Sequence, residues 1–225
     1  MSTEMVHEIR GLIVTGALAG AALVLAELVG RLPGVPREAT RKLAHVLCGL
    51  TAASFPLLFR SAWSVALVAA VFLTVMAWTR ARGALSAIHG VARRSDGALW
   101  FPVAIAVVFV QASGRPWLYL AAVLVLTVSD TLAALVGEAY GRHRYRLCAE
   151  WKSLEGSAAF LVSALLCVQV PLLLLSGLEP TACLVLASYV AVLATLLEAL
   201  SPAGRDNLLV PVLDRHPPPR EPTET

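Results

Sequence analysis

The sequence predicts an all-α integral membrane protein: a polytopic bundle of about seven transmembrane helices, with the N-terminus outside and the C-terminus in the cytoplasm. Of its 225 residues, 58% are hydrophobic and only 15% are charged, and the mean hydropathy is +0.74. Soluble domains are about 25% charged, and a globule of this length cannot hide so much apolar surface. This composition excludes a soluble enzyme, a nucleic-acid-binding protein and a secreted disulfide scaffold. Segment lengths and the placement of charges support the same fold class.

Long apolar segments divide the chain into spans. A spanning helix needs about 20 mostly apolar residues. The first segment is not expected to be a cleaved signal, because its apolar run continues without a small-residue cleavage pattern. Residues 1–214 are predicted to form one transmembrane domain, and the proline-rich residues 215–225 a disordered cytoplasmic tail. The predicted spans are 9–30, 41–59, 61–79, 98–114, 116–137, 157–176 and 179–200.

Basic residues alternate between rich and poor connections along the chain. Alternate connections and the C-terminal tail together carry 15 of the 18 Lys and Arg residues, whereas the N-terminal segment and the other connections carry three. Cytoplasmic loops of membrane proteins are enriched in Lys and Arg, so the rich side is predicted to face the cytoplasm. The clean alternation also supports seven spans. The Arg-rich composition suggests a bacterial cytoplasmic membrane.

One basic group opens a span at this face, and another precedes a span. Arg41 and His45 are four residues apart and therefore share one face of a helix, with Lys42 beside them. The alternative interpretation is simple anchoring of the span at the membrane surface. Arg94 lies just before the fourth span, where the residues that follow it could equally serve only as a helix cap.

An acidic residue lies inside the fifth span. Asp130 is costly in an apolar run unless it is paired or binds a cation. Gly137 and Gly141 lie on the same helical stripe as Asp130, and Arg142 follows them. Small residues on one stripe also pack helices closely together, which would explain the glycines but not the aspartate.

The connection before the sixth span has the composition of a phosphate cradle. Lys152 and Ser153 are followed by Glu155, Gly156 and Ser157, at the cytoplasmic start of a helix. Backbone N–H groups at a helix N-terminus bind anions. The alternative is local helix capping, although the spacing fits a capping box poorly.

Oxygen ligands accumulate at the same face. Glu198 ends the seventh span, and Asp206 and Asn207 follow it. Together with Asp130, these groups suit Mg²⁺, which prefers carboxylate oxygens and substrate phosphates. The residues alone therefore predict phosphate chemistry on a lipid at the cytoplasmic face, and do not go further.

These motifs, in this order, resemble those of the polyprenol kinase family, which includes dolichol kinases, phytol kinases and CTP-dependent diacylglycerol kinases. The chain departs from the family pattern at Gly141–Arg144, where a Gly-Lys ending is expected. Its small size favours the phytol-kinase-like members. The resemblance is carried by Arg41-Lys42 with His45, Ser129-Asp130 with Ala133, Gly137 and Gly141, Lys152-Ser153 with Glu155-Gly156-Ser157, and Glu198 with Asp206-Asn207-Leu208, Val210 and Pro211.

The resemblance implies transfer of the γ-phosphate of CTP to a membrane-embedded lipid alcohol, with Mg²⁺ as cofactor. Phosphatidate cytidylyltransferases are similar around the Asp130 and Lys152 motifs, so such an enzyme is the alternative. Their closing signature is absent here, which favours the kinases. A transporter is less favoured because the outer halves of the spans carry almost no charge. No Walker A loop or soluble-kinase signature is present.

Roles can be assigned to these residues only as expectations. Asp130 is expected to hold Mg²⁺ or to orient the acceptor hydroxyl, and Lys152 to contact the β- or γ-phosphate. The remaining phosphate or nucleotide contacts are expected from Arg41, Lys42, His45, Arg94, Gly137, Gly141, Arg142, Ser153, Glu155, Gly156 and Ser157. A second Mg²⁺ or the ribose is assigned to Glu198, Asp206 and Asn207.

Overall fold

The computed structural model describes residues 3–85, 97–147 and 151–200, and this part of the chain is almost entirely helical. A π-helical turn, Val125–Ser129, joins two of the helices without a break, and two short strands pair before the penultimate helix. The helices are Thr3–Gly30 (α1), Arg37–Ala53 (α2), Phe55–Leu58 (α3), Ala62–Ala81 (α4), Gly97–Gln111 (α5), Pro116–Leu124 (α6), Asp130–Tyr140 (α7), Leu154–Leu175 (α8) and Pro180–Leu200 (α9), and the strands are Arg144–Arg146 (β1) and Trp151–Ser153 (β2).

The all-α membrane fold class is confirmed. Within the described residues, five helical segments are long and apolar enough to cross a membrane: α1, α4, the continuous segment Pro116–Tyr140, α8 and α9. The other two predicted spans are shorter than expected. α2 has 17 residues and α5 has 15. α2 ends at Ala53, just before Pro56, which has no backbone N–H to continue the helix. The total of seven spans and their orientation stay predictions.

The two ends of the bundle differ in character. At one end, the backbone N–H groups of Arg60 and Ser61 donate to the Glu8 carboxylate over 2.9 and 3.2 Å. Gly11 lies so close to α3 that an added Cβ would be 2.5 Å from the Leu58 carbonyl oxygen. The start of α1 therefore meets the α3–α4 connection. The basic motifs gather at the opposite end.

A buried apolar core joins α1 to α6, and a second one joins α6, α8 and α9. Tyr119 is 1% exposed and its hydroxyl donates to the Ala52 carbonyl over 2.9 Å, which ties α6 to α2. Large apolar side chains such as Trp63, Leu174 and Val185 are exposed on the outside of the bundle. Such a surface fits a lipid environment, because a soluble monomer rarely exposes wide apolar patches.

Candidate active site

The deeper part of the candidate site lies where α2 packs against the π-helical turn. The Nε2 atom of His45 is 3.1 Å from the Leu126 carbonyl oxygen in that turn. Because a carbonyl can only accept, Nε2 carries the hydrogen of this bond. Gly49 packs on the side chain of Thr127, which leaves no room for a Cβ. π-Helical turns are rare and occur often at functional sites, and this one leads directly into Asp130.

Three basic side chains of α2 lie near Asp130. Arg41, Lys42 and His45 all interact electrostatically with its carboxylate. Lys42 is only 7% exposed, which is unusual for a lysine without a compensating negative charge. Arg41 is held by Glu38, whose carboxylate accepts from the Arg41 Nε over 3.0 Å. We call this group, Arg41, Lys42, His45 and Asp130, the floor of the site.

The outer part of the site is formed by the strand pair and the start of α8. β1 and β2 are antiparallel, with Tyr145 opposite Lys152. The Lys152 ammonium donates to the Glu198 carboxylate over 2.5 Å, and also to the Glu198 backbone carbonyl. The side chains of Lys152 and Glu198 are only 13% and 15% exposed. The pair therefore anchors the end of α9 to the strand pair.

The glycines of the predicted stripe pack against the start of α8. An added Cβ on Gly156 would be 2.8 Å from the Ala133 carbonyl oxygen and 3.2 Å from the Gly137 Cα. A Cβ on Gly141 would be 2.9 Å from the Ser153 Cβ. The stripe thus brings α7 and α8 into close contact, which is what small residues do in membrane helices.

Local contacts fix the first turn of α8. Ser153 caps the helix, because its hydroxyl accepts from the Gly156 N–H over 3.1 Å. Glu155 accepts from the backbone N–H and the Nδ1 of His143, the latter over 2.7 Å. The Ser157 and Tyr145 hydroxyls lie 2.6 Å apart. We call Lys152, Ser153 and the first turn of α8 the mouth of the site.

The mouth and the floor lie at different depths. Asp130 precedes Gly137 by seven residues on α7, and seven residues of α-helix rise about 10 Å. Gly137 contacts Gly156 at the mouth, so Asp130 lies about two helical turns deeper. A site of this depth can receive a polar ligand from one end and an apolar one from within the bilayer.

The Asp130 carboxylate is the group of the floor that could serve as a ligand of a divalent metal. Among the described residues, no three His, Cys, Asp or Glu side chains come together as a ready cation site. Mg²⁺ is commonly held by one or two carboxylates plus substrate phosphates and water, and Asp130 in its polar surroundings fits such a role. Glu198 is engaged by Lys152. The predicted site residues Arg94, Asp206 and Asn207 lie outside the described residues, and Arg142 is exposed at the end of α7.

Three residues that contact candidate site residues were not predicted from the sequence. Glu38 orients Arg41, His143 holds Glu155, and Tyr145 contacts the first turn of α8. Only the alternation of aromatic and basic residues in Arg144–Arg146 hinted at a strand. The roles of all the candidate residues in binding or chemistry stay predictions.

Comparison with known proteins gives one curated relative. The chain is 34% identical over 196 residues to a phytol kinase of Synechocystis sp. (strain ATCC 27184 / PCC 6803 / Kazusa), and the match covers 86% of this chain and 83% of that protein. No protein-family model matches the sequence, and no solved structure matches the fold.

Proposed function

Because this chain belongs to the polyprenol and phytol kinase family, and is therefore a membrane phosphotransferase that acts on an alcohol, we propose that it transfers the γ-phosphate of CTP to an isoprenoid alcohol. The predicted family relationship is confirmed by the phytol kinase relative. The donor nucleotide, the metal and the position of the active site belong to the proposal.

The convergence of three distant motifs supports the position of the site. The motif around Arg41, the stripe that begins at Asp130 and the Lys152 motif are far apart in the sequence. They meet at one end of the bundle, through α2 on the π-helical turn and α7 on α8. This end carries the basic connections, so the active site is proposed to face the cytoplasm, where nucleotides are available.

In the proposed reaction, the alcohol oxygen bonds to the γ-phosphorus and the bond from that phosphorus to the β,γ-bridging oxygen breaks. CDP leaves, and the hydroxyl proton is lost to a base. Asp130, at the floor, either takes this proton or holds Mg²⁺. Mg²⁺ bound there would neutralise negative charge on the transferring phosphoryl group. In either role the Asp130 carboxylate must be ionised.

The cations of the floor are suited to stabilise the transferring phosphate. Phosphoryl transfer is catalysed mainly by positioning and by electrostatic stabilisation. Arg41 and Lys42 place two positive charges beside Asp130. His45 is held in a fixed orientation by its hydrogen bond to Leu126. A phosphate that enters this region would therefore replace part of the attraction between these cations and Asp130.

The mouth is suited to the remaining phosphates of the nucleotide. Lys152 presents an ammonium group beside the N-terminus of α8, whose helix dipole favours anions. In the structure, the Leu154 N–H donates to the His143 carbonyl and the Gly156 N–H donates to the Ser153 hydroxyl, so a phosphate would have to take the place of such local acceptors. Lys152 is held by Glu198 in the structure. Nucleotide binding would exchange this carboxylate for a phosphate oxygen without leaving the ammonium buried alone.

The test is a kinase assay with purified protein in lipid nanodiscs. CTP and ATP, each labelled at the γ-phosphate, are offered with farnesol, geranylgeraniol, phytol and diacylglycerol. Each reaction is run with Mg²⁺ and then with EDTA. We expect CDP and a phosphorylated prenol, with CTP as the preferred donor. Release of pyrophosphate instead would indicate cytidylyl transfer. Equal use of ATP would contradict the assigned donor, and activity in EDTA would contradict the metal.

The site assignment is tested by Asp130→Asn beside a matched control. Glu179→Gln removes a carboxylate at the opposite end of the bundle, where Glu179 is exposed. Loss of an acid–base or metal-binding carboxylate typically lowers the rate by about 100-fold or more. We expect that loss in Asp130→Asn and a normal rate in Glu179→Gln. An Asp130→Asn rate within threefold of the wild type would contradict the assignment.

A further inference from the structure

An apolar groove lies within the bundle, bordered by α1, α2, α4 and α5. The space between its lining residues is about 390 Å³, a volume that includes solvent outside the groove. α1 packs along α2 and α4 packs along α5, but the two pairs touch each other sparsely. The groove is the gap that this arrangement leaves between the pairs.

The groove begins beside the floor of the candidate site. His45 stacks edge-on against Phe101, with ring centroids 4.8 Å apart, and Phe101 lines the groove. Cys48, one helical turn after His45, lines it as well. α2 enters the bundle from the end that carries the basic motifs, so the groove continues from the floor toward the interior.

The lining of the groove is suited to a hydrocarbon chain. Cys48, Ala69, Phe72 and Ile105 present apolar surface to it, and none of the lining side chains that the structure describes is charged. Thr15 also lines it, and the buried Thr15 hydroxyl has no hydrogen-bond partner among the described residues. A closely packed core would fill this space with side chains.

We propose that this groove binds the isoprenoid chain of the substrate alcohol and thereby holds the hydroxyl group at His45 and Asp130. The inference rests on the proposed kinase function and adds the binding site of the lipid. The two ends of the substrate would then match the two environments. The hydroxyl lies among cations that also attract the phosphate, and the chain lies in the apolar gap.

Narrowing the groove tests the proposal through substrate selectivity. Ala69→Phe places a ring in the groove, whereas Ala70→Phe places the same ring on the exposed side of the same helix. We expect Ala69→Phe to raise the KM for geranylgeraniol or phytol at least tenfold. The KM for CTP and the rate with a one-isoprene alcohol, which is too short to fill the groove, should stay the same. Ala70→Phe should behave like the wild type.

Equal KM values for the long alcohols in Ala69→Phe and Ala70→Phe would overturn the groove proposal and leave the kinase function intact. If the wild type phosphorylates no prenol with any nucleotide, the proposed function itself fails. These two failures are therefore distinguishable from each other.

A second measurement does not depend on how the variants fold. The wild-type protein in nanodiscs is irradiated with a diazirine-labelled farnesol, and the labelled peptides are identified by mass spectrometry. We expect labels on groove residues such as Cys48 and Ile105, and we expect excess unlabelled farnesol to remove them. Labels confined to the lipid-exposed surface would contradict the proposal. Displacement of the groove labels by phospholipid as readily as by farnesol would identify the groove as an ordinary lipid site.

Discussion

The ion pair between Lys152 and Glu198 allows the structural and the chemical roles of Lys152 to be separated. Both side chains are largely buried, at 13% and 15% exposure, and their charged atoms are 2.5 Å apart. Removing one partner of a buried pair costs about 3–5 kcal/mol, because the other charge loses its compensation. With slight solvent exposure here, we expect Lys152→Met to lower the free energy of unfolding by about 3 kcal/mol, which is roughly a 100-fold change in the unfolding equilibrium.

The double variant Lys152→Met/Glu198→Leu replaces both charges with apolar groups. Such a replacement of a buried pair is often neutral for stability, so the free energy of unfolding should return to within about 1 kcal/mol of the wild type. Unfolding by SDS in mixed micelles measures this change. If Lys152 also binds phosphate, the double variant should still be slower by about 100-fold or more, because a donor to the transferring phosphate is lost. A stable double variant with a wild-type rate would refute the chemical role of Lys152.

Three other substitutions test the contacts that assemble the site. Gly156→Ala puts a Cβ 2.8 Å from a backbone oxygen of α7 and should lower the free energy of unfolding by about 1–3 kcal/mol. Gly20→Ala is the control, because the space around Gly20 is open and the protein should not be destabilised. Thermal unfolding compares the two variants. Gly49→Ala would push Thr127 and the π-helical turn away from α2. We therefore expect a larger fractional loss of the kinase rate than of the free energy of unfolding. Tyr145→Phe removes the 2.6 Å hydrogen bond to α8 and should cost about 1 kcal/mol, and an unchanged unfolding midpoint would show that this bond contributes nothing.

The helical fold could be predicted because lipid constrains the backbone so strongly. Every backbone polar group in a bilayer must be satisfied within its own segment, so a long apolar run is almost always a helix. The predicted span 116–137 appears as the continuous segment Pro116–Tyr140, and the predicted 157–176 as α8. The length of α2 could not be predicted in the same way. Its polar first turns and the break at Ser54 depend on neighbours that hydropathy alone does not include.

The convergence of the motifs could be anticipated only from their common membrane side. A shared side brings residues to one end of a bundle, but it does not say which helices touch. The contact of Gly137 with Gly156 and the bond from His45 to Leu126 are properties of packing. The π-helical turn before Asp130 has no reliable sequence signal, because it inserts one extra residue into an otherwise ordinary apolar helix.

The glycines show why a structural and a functional interpretation of one motif need not compete. Gly137 and Gly156 allow α7 and α8 to approach closely, which is a packing role. The same approach sets the N-terminus of α8 beside the helix that carries Asp130, two turns deeper. A larger residue at either position would separate the proposed phosphate-binding helix end from the proposed catalytic carboxylate. Packing on this stripe therefore determines the distance between the two proposed parts of the site, the mouth and the floor.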